Sequence, residues 1–158
     1  MSEKFSSTPW KEIQSTEVLE QTNLILSSYT RLTGKLLSQS VDSQSIYDED
    51  FILLSHDGKD DPCFTYANKA AQDLWQLGWS NFIGMPSKYS AEPDQRESRS
   101  EMLNEAMAKG YFDSYTGIRV SSTGKRFYIK NATIFNLLNE AGEKVGQAAM
   151  FSNWKYLD

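Results

Sequence analysis

Residues 51–92 (FILLSHDGKDDPCFTYANKAAQDLWQLGWSNFIGMPSKYSAE) constrain the fold more than any other part of the chain. Phe51-Ile52-Leu53-Leu54 is an unbroken apolar run with no polar residue to face water, as in a strand buried on both faces. Asp57-Gly58-Lys59-Asp60-Asp61-Pro62 supplies turn residues, and Cys63 to Ala67 reads as a second strand. Asn68 is a good helix N-cap, and Ala70, Ala71, Leu74 and Trp75 form the apolar side of a short helix. Gly78 sits just past its end, where a C′ glycine belongs. Residues 79–92 then read as irregular and aromatic, with Trp79, Phe82, Met85, Pro86 and Tyr89.

A longer helix is predicted from Glu92 or Pro93 to Lys109, with Pro93 in the first turn and Gly110 closing it. Three strands follow. Residues 111–121 place Thr116, Ile118 and Val120 in alternation with Tyr115, Gly117 and Arg119. Residues 126–138 place Phe127, Ile129 and Phe135 on one face. Residues 144–154 do the same for Val145, Gln147, Ala149 and Phe151. Ser122–Lys125 and Asn139–Gly142 are the hairpin turns. This order implies an α+β fold: a five-stranded antiparallel sheet with helices on one face.

Before the first strand, residues 1–15 are polar. Residues 16–38 carry an apolar stripe of Val18, Leu19, Ile25, Leu26, Tyr29, Leu32 and Leu36, with Thr16 able to cap its start. Gly34 weakens the last turn by about 1 kcal/mol relative to alanine. Residues 38–49 read as a polar linker. Two readings of the helix stand: packing onto its own domain, or a homodimer or partner interface.

A net charge of −5, with no block of Lys or Arg, argues against direct nucleic-acid binding and against anionic membranes. No run of 18 apolar residues points to a membrane helix, and the N-terminus lacks the apolar core of a signal peptide. Cys63 is the only cysteine, which excludes an intrachain disulfide and a multi-cysteine zinc site. The cytoplasm is the expected compartment.

Several residues are candidates for chemistry. Arg96, Arg99, Leu103 and Ala106 would share one helix face. The two guanidinium groups there either clamp an anion or carboxylate in a pocket, or pair internally with an acid such as Glu92 or Asp94. His56 is the only histidine and is read either as a general base or as a structural residue bonded to the acidic turn after it. No nucleophile-elbow motif accompanies it. Asp57, Asp60 and Asp61 lack the spacing and closing glutamate of a calcium loop. Gln147, Asn131 and Thr133 sit on apolar strand faces and so need partners, from within the protein or from a ligand between sheet and helices. Trp75, Trp79, Tyr89, Tyr115 and Trp154 line a pocket or simply fill the core.

Ser55-His56-Asp57, Asp61-Pro62, Tyr66-Ala67-Asn68-Lys69-Ala70-Ala71, Pro86-Ser87 and Ser90-Ala91-Glu92 resemble the MEKHLA domain, a PAS-like family. Gly110-Tyr111-Phe112, Tyr115–Arg119, Thr123–Phe127, Ala132–Asn136 and Gly146–Ala149 extend the resemblance over about residues 48–154. Phe135 stands where the family usually has tryptophan. The resemblance implies a PAS-like domain at 48–158, preceded by an N-terminal arm with an amphipathic helix and linker at 1–47, of the short bacterial type. It implies a non-catalytic sensory or regulatory module that binds a small molecule or a signalling protein and passes its signal to a separate chain; it names no ligand or cofactor. The flavin-photosensor cysteine motif is missing, and no histidine lies between Glu92 and Gly110 to hold haem. Arg96, Arg99, Tyr115, Arg119, Asn136 and Gln147 are the candidate binding residues. Two alternatives remain: a pure protein-interaction module with a filled cavity, and a small α+β enzyme using His56.

Overall fold

The computed structural model describes residues 6–39, 42–90 and 109–157. The chain runs through helices α1 (Trp10–Ile13), α2 (Thr16–Thr33) and α3 (Ser43–Tyr47), strands β1 (Ile52–His56) and β2 (Phe64–Ala67), and helices α4 (Lys69–Trp75) and α5 (Trp79–Phe82). A 3-10 turn at Ser87–Ser90 precedes strands β3 (Tyr111–Val120), β4 (Arg126–Leu138), β5 (Lys144–Phe151) and β6 (Asn153–Tyr156). The strands form one antiparallel sheet in the order β2-β1-β5-β4-β3, with β6 also paired to β4.

Strand alternation divides the core between two faces of this sheet. Ile52, Leu54, Phe64, Leu74, Trp75, Phe82 and Phe151 fill one side, beneath α4 and α5. Leu53, Tyr66, Phe135 and Leu137 fill the other, beneath α2 and α3 with Ile25, Ile46 and Tyr47. The apolar run of β1 is thus buried on both faces, as predicted. The short helices after β2 take one face and the N-terminal helix takes the other.

The predicted N-cap Asn68 is fully buried and does more than cap. Its Oδ1 accepts from Ala71 N at 3.1 Å, closing the first turn of α4. The same oxygen accepts from Leu53 N at 3.1 Å, and Nδ2 donates to Phe51 O at 2.8 Å. One side chain therefore fixes α4 against β1, and its own N–H donates to Leu53 O. Nearby, Gln72 Nε2 donates to Tyr47 Oη and Ala67 O, and Gln72 Oε1 accepts from Thr8 N. Tyr47 Oη donates to Thr8 O at 2.6 Å. Burial pushes the Tyr47 hydroxyl up to about 12, with Gln72 easing the shift.

Helix α2 begins at Thr16, but its N-cap is Ser15 rather than the expected Thr16: Ser15 Oγ accepts from Val18 N. It ends at Thr33, because Gly34 adopts the left-handed C-cap conformation at φ 74° that closes helices. Val18, Thr22, Ile25 and Ser28 are its buried stripe. Leu19 and Leu36, expected in that stripe, are 48% and 70% exposed. The two buried hydroxyls are satisfied: Thr22 Oγ1 donates to Val18 O and bonds Ser43 Oγ, and Ser28 Oγ accepts from Leu138 N at 2.8 Å. The stretch expected to be a polar linker contains α3, capped by Asp42, whose Oδ1 accepts from Ser45 N. That bond lowers the carboxyl below its usual range. The apolar Ile46 and Tyr47 at its end are fully buried, which is why the segment folds.

Other boundaries differ from expectation for local reasons. Gln76, at φ 59°, caps α4, and Gly78 serves as the N-cap of α5 instead. Residues 79–90 hold α5 and the 3-10 turn rather than irregular chain alone. In β4, Phe127 and Ile129 face α4 whereas Phe135 faces α2, so the three do not share a face. Asn131 is the cause: at φ 54° it is one residue out of step, and alternation resumes with Ala132 and Ile134 on the α4 side. The third expected strand breaks at Ser152, at the same level of the sheet. Thr133 pairs with Met150 before this level and Lys130 with Asn153 after it.

Candidate functional site

Between the sheet and the α4 side lies a cavity of about 60 Å³, lined by Leu54, Phe64, Trp75, Ile129, Ala149 and Phe151 among others. That volume holds a few water molecules. Its walls are mainly apolar, and the polar groups that enter it come from two places.

The first is a row across three strands. His56 on β1 pairs with Gln147 on β5, and Gln147 pairs with Asn136 on β4. With alternation, all three share the face that carries Leu54, Ala149 and Ile134. His56 and Gln147 line the cavity; Asn136 stands beyond Gln147 in the row. Its N–H donates to Gly110 O, and its Oδ1 is buried with no hydrogen-bond partner among the described residues. The row depends on Gly146. A Cβ there would lie 2.6 Å from His56 O and 3.1 Å from Leu137 Cδ1, so any side chain would force β1 and β5 apart.

The second is a pair on β3. Tyr115, Gly117 and Arg119 stand opposite Ala132, Ile129 and Phe127 of β4. Tyr115 folds back over the space that Gly117 leaves: a Cβ on Gly117 would lie 2.6 Å from Tyr115 Oη. This brings Tyr115 Oη to accept from Arg119 Nη2 at 2.6 Å, with the guanidinium 5.2 Å from the ring centre. Arg119 Nη1 donates to Ile118 O at 2.9 Å. Arg119 is only 7% exposed. Ion pairs among the described residues join Lys69 to Asp48 and Lys88 to Asp61, and none reaches Arg119.

Of the residues read from the sequence, Tyr115, Arg119 and Gln147 meet at one cavity, with Asn136 next to it. Arg96 and Arg99, with the helix expected to carry them, lie outside the described residues. Asn131 is exposed and Thr133 lies on the α2 face, so neither reaches the cavity. Among the aromatics, Trp75 and Tyr115 line it. Trp79 instead packs against Tyr47 and Tyr66, and Tyr89 is 55% exposed. Trp154 is 37% exposed on β6. Trp75 was legible as core, but not that its Nε1 is buried without a hydrogen-bond partner among the described residues. Ser90 also lines the cavity; the sequence marked it as part of the family resemblance but not as a site residue.

His56 Nδ1 accepts from Gly58 N at 3.0 Å, the turn contact expected of a structural histidine. Asp57 Oδ1 accepts from Lys59 N and Cys63 N, so this carboxylate holds the turn. No cluster of three or more His, Cys, Asp or Glu suited to a metal occurs among the described residues. No helix among them is long and apolar enough to cross a membrane.

The family model described as "MEKHLA domain" matches residues 19–156. No curated protein matches the chain in sequence. Among solved structures, a PAS domain from Colwellia psychrerythraea aligns at TM-score 0.62 and 14% identity, covering 73% of this chain and 92% of its own. A PAS domain of a LuxR-family transcriptional regulator from Burkholderia thailandensis, in complex with ethanol, aligns at TM-score 0.55 and 16% identity over 72% of this chain and 94% of its own. An RNA-binding light-oxygen-voltage receptor aligns at TM-score 0.56 and 14% identity, over 68% of this chain and 30% of the receptor. At these identities the likeness is one of fold, and that fold is PAS-like.

Proposed function

Because the chain belongs to the MEKHLA domain family, a PAS-like sensory family, we propose that it is a non-catalytic regulatory module of the cytoplasm whose cavity receives a small molecule. The observation that supports this most is the cavity itself. Its apolar walls carry convergent polar groups from β1, β3 and β5, namely His56, Arg119 with Tyr115, and Gln147, the composition of a small-molecule site. Arg119, Tyr115 and Gln147 are the binding residues, with Asn136 at the end of the row. A bound ligand would act by population shift, favouring the conformation that contacts it best.

A non-catalytic role agrees with the geometry at His56, where the ring and Asp57 both serve the turn. The second reading, a protein-interaction module, is favoured by the cavity's small size and by the aromatic packing of Trp75 against Phe82, Phe127 and Phe151. The buried stripe of α2 supports a packing role for that helix. A homodimer through it would use its outer face, where Leu19 is exposed, and Leu19→Asp in sedimentation experiments tests it.

The test of ligand binding is a thermal-shift screen of small anionic, neutral and cationic metabolites, with Ala149→Leu as the blocked control. At least one compound is expected to stabilise the wild type and to leave Ala149→Leu unmoved. A screen without such a compound, together with a bare mass in native mass spectrometry, would favour the interaction module.

A further inference from the structure

The sensory reading leaves the ligand's chemistry open, and resting on that reading, we infer that the cavity is built for a short-chain monocarboxylate. Two buried donors carry the argument. Arg119 brings a permanent positive charge to the wall, is almost fully buried, and has no carboxylate beside it among the described residues. Its two hydrogen bonds go to neutral oxygens, Tyr115 Oη and Ile118 O. A guanidinium has five N–H donors, so these two bonds leave most of its capacity unused. An unpaired buried cation is costly, and proteins normally offset it with an anion. Trp75, on the same cavity, has a buried Nε1–H without an acceptor among the described residues. Indole can only donate. Both shortages are met by one ligand that accepts hydrogen bonds and carries negative charge.

Size and wall chemistry narrow the class. A cavity of about 60 Å³ accommodates about four to six heavy atoms at the volume a water needs. Leu54, Ile129, Ala132, Ile134, Ala149 and Phe151 present hydrocarbon over most of the wall. A dicarboxylate would leave its second charge against these side chains, and a phosphate would leave the apolar wall unfilled. A monocarboxylate of two to four carbons in total fits both ends, with its head at Arg119 and its tail along Ile134 and Ala149. Gly117 belongs to the same arrangement, since the space it leaves lets Tyr115 hold the guanidinium in place.

The experiment is a melting-temperature titration with sodium butyrate, sodium propionate, sodium chloride at matched ionic strength, and butan-1-ol. A ¹H–¹⁵N spectrum of the indole region is recorded alongside. Butyrate is expected to raise the melting temperature saturably and to shift one indole N–H resonance, the one missing in Trp75→Phe. Chloride should do neither. Arg119→Gln is expected to weaken butyrate by about 10- to 100-fold, the range for a hydrogen bond to a charged group, and to leave butan-1-ol unchanged. Arg119→Gln folding is read from the unchanged dispersion of the same spectrum. Equal binding of butyrate and butan-1-ol would overturn the carboxylate inference while leaving a ligand-binding cavity intact. Absence of any butyrate or propionate effect on the wild type would overturn it as well, and the wider screen with Ala149→Leu then decides the sensory reading separately.

Discussion

Replacing Asn68 with alanine should destabilise the protein far more than the loss of an ordinary helix cap. An exposed N-cap is worth about 1 kcal/mol. At Asn68 the same truncation also strands Leu53 N–H, a central-strand donor, and removes the donor to Phe51 O. Each unsatisfied buried group costs about 1–3 kcal/mol. Because Phe51 lies at the end of the strand and is half-buried, water can replace part of its loss. The sum is about 3–5 kcal/mol, or about 10 °C in melting temperature for a chain of this size. Asn68→Ser keeps an acceptor for Ala71 N but cannot reach both strand groups, so it should recover only about 1 kcal/mol of that. Urea unfolding followed by tryptophan fluorescence, with unchanged m-values, measures both. A cost below about 1 kcal/mol for Asn68→Ala would show that the bonds to β1 add nothing to the cap and would refute the reasoning.

Other outcomes follow from the same geometry. Gly117→Ala should cost about 1–3 kcal/mol, as overpacking does, by displacing the Tyr115 hydroxyl from Arg119; thermal melts read the loss. Burial raises the hydroxyls of both Tyr47 and Tyr66, Tyr47 to about 12. The unfolded chain therefore ionises first, binds fewer protons above about pH 10, and stability falls as pH rises from there towards the folded values. Tyr66→Phe should lessen that fall at little cost at neutral pH, since the Tyr66 hydroxyl has no hydrogen-bond partner in good geometry among the described residues; Tyr47→Phe should cost about 1–2 kcal/mol for its bonds to Thr8 and Gln72. Equilibrium unfolding at pH 7 and pH 11 separates the two. Removing residues 1–40 should expose Leu53, Phe135 and Leu137 and yield an aggregating chain, which size-exclusion chromatography would detect; a monodisperse, cooperatively melting product would contradict the packing described for α2.

What the sequence disclosed and what it withheld have physical reasons. The run Phe51–Leu54, the Asn68 cap and the turn glycines act locally, so their meaning is readable from neighbours in the chain. The succession of strands and helices along the chain and the α+β class followed from them. The faces of β4 were misjudged because a left-handed Asn131 leaves no mark on strand composition, and one such residue inverts every assignment after it. The segment around α3 looked polar because Ser and Gln outnumber the two apolar residues that decide its position. At the site, Arg119 and Tyr115 were legible as same-face neighbours two positions either side of Gly117. Their mutual hydrogen bond was not, since it depends on the ring lying back over a glycine. Ser90 and the orphaned Trp75 N–H emerge only when distant elements meet.

The irregularity at Asn131 has a counterpart in Ser152. Phe151 and Trp154 both lie on the α4 side, as do Ile129 and Ala132, so each strand holds one residue more than simple alternation needs, at the same level of the sheet. Deleting Asn131 alone would leave the surplus at Ser152 unmatched and offset every pairing from Lys130–Asn153 to Phe127–Tyr156. Deleting both would close the ladder with every side chain still on its present face. Among descendants of such a sequence, β4 and the β5–β6 strand can therefore change length only together, by compensated insertions or losses.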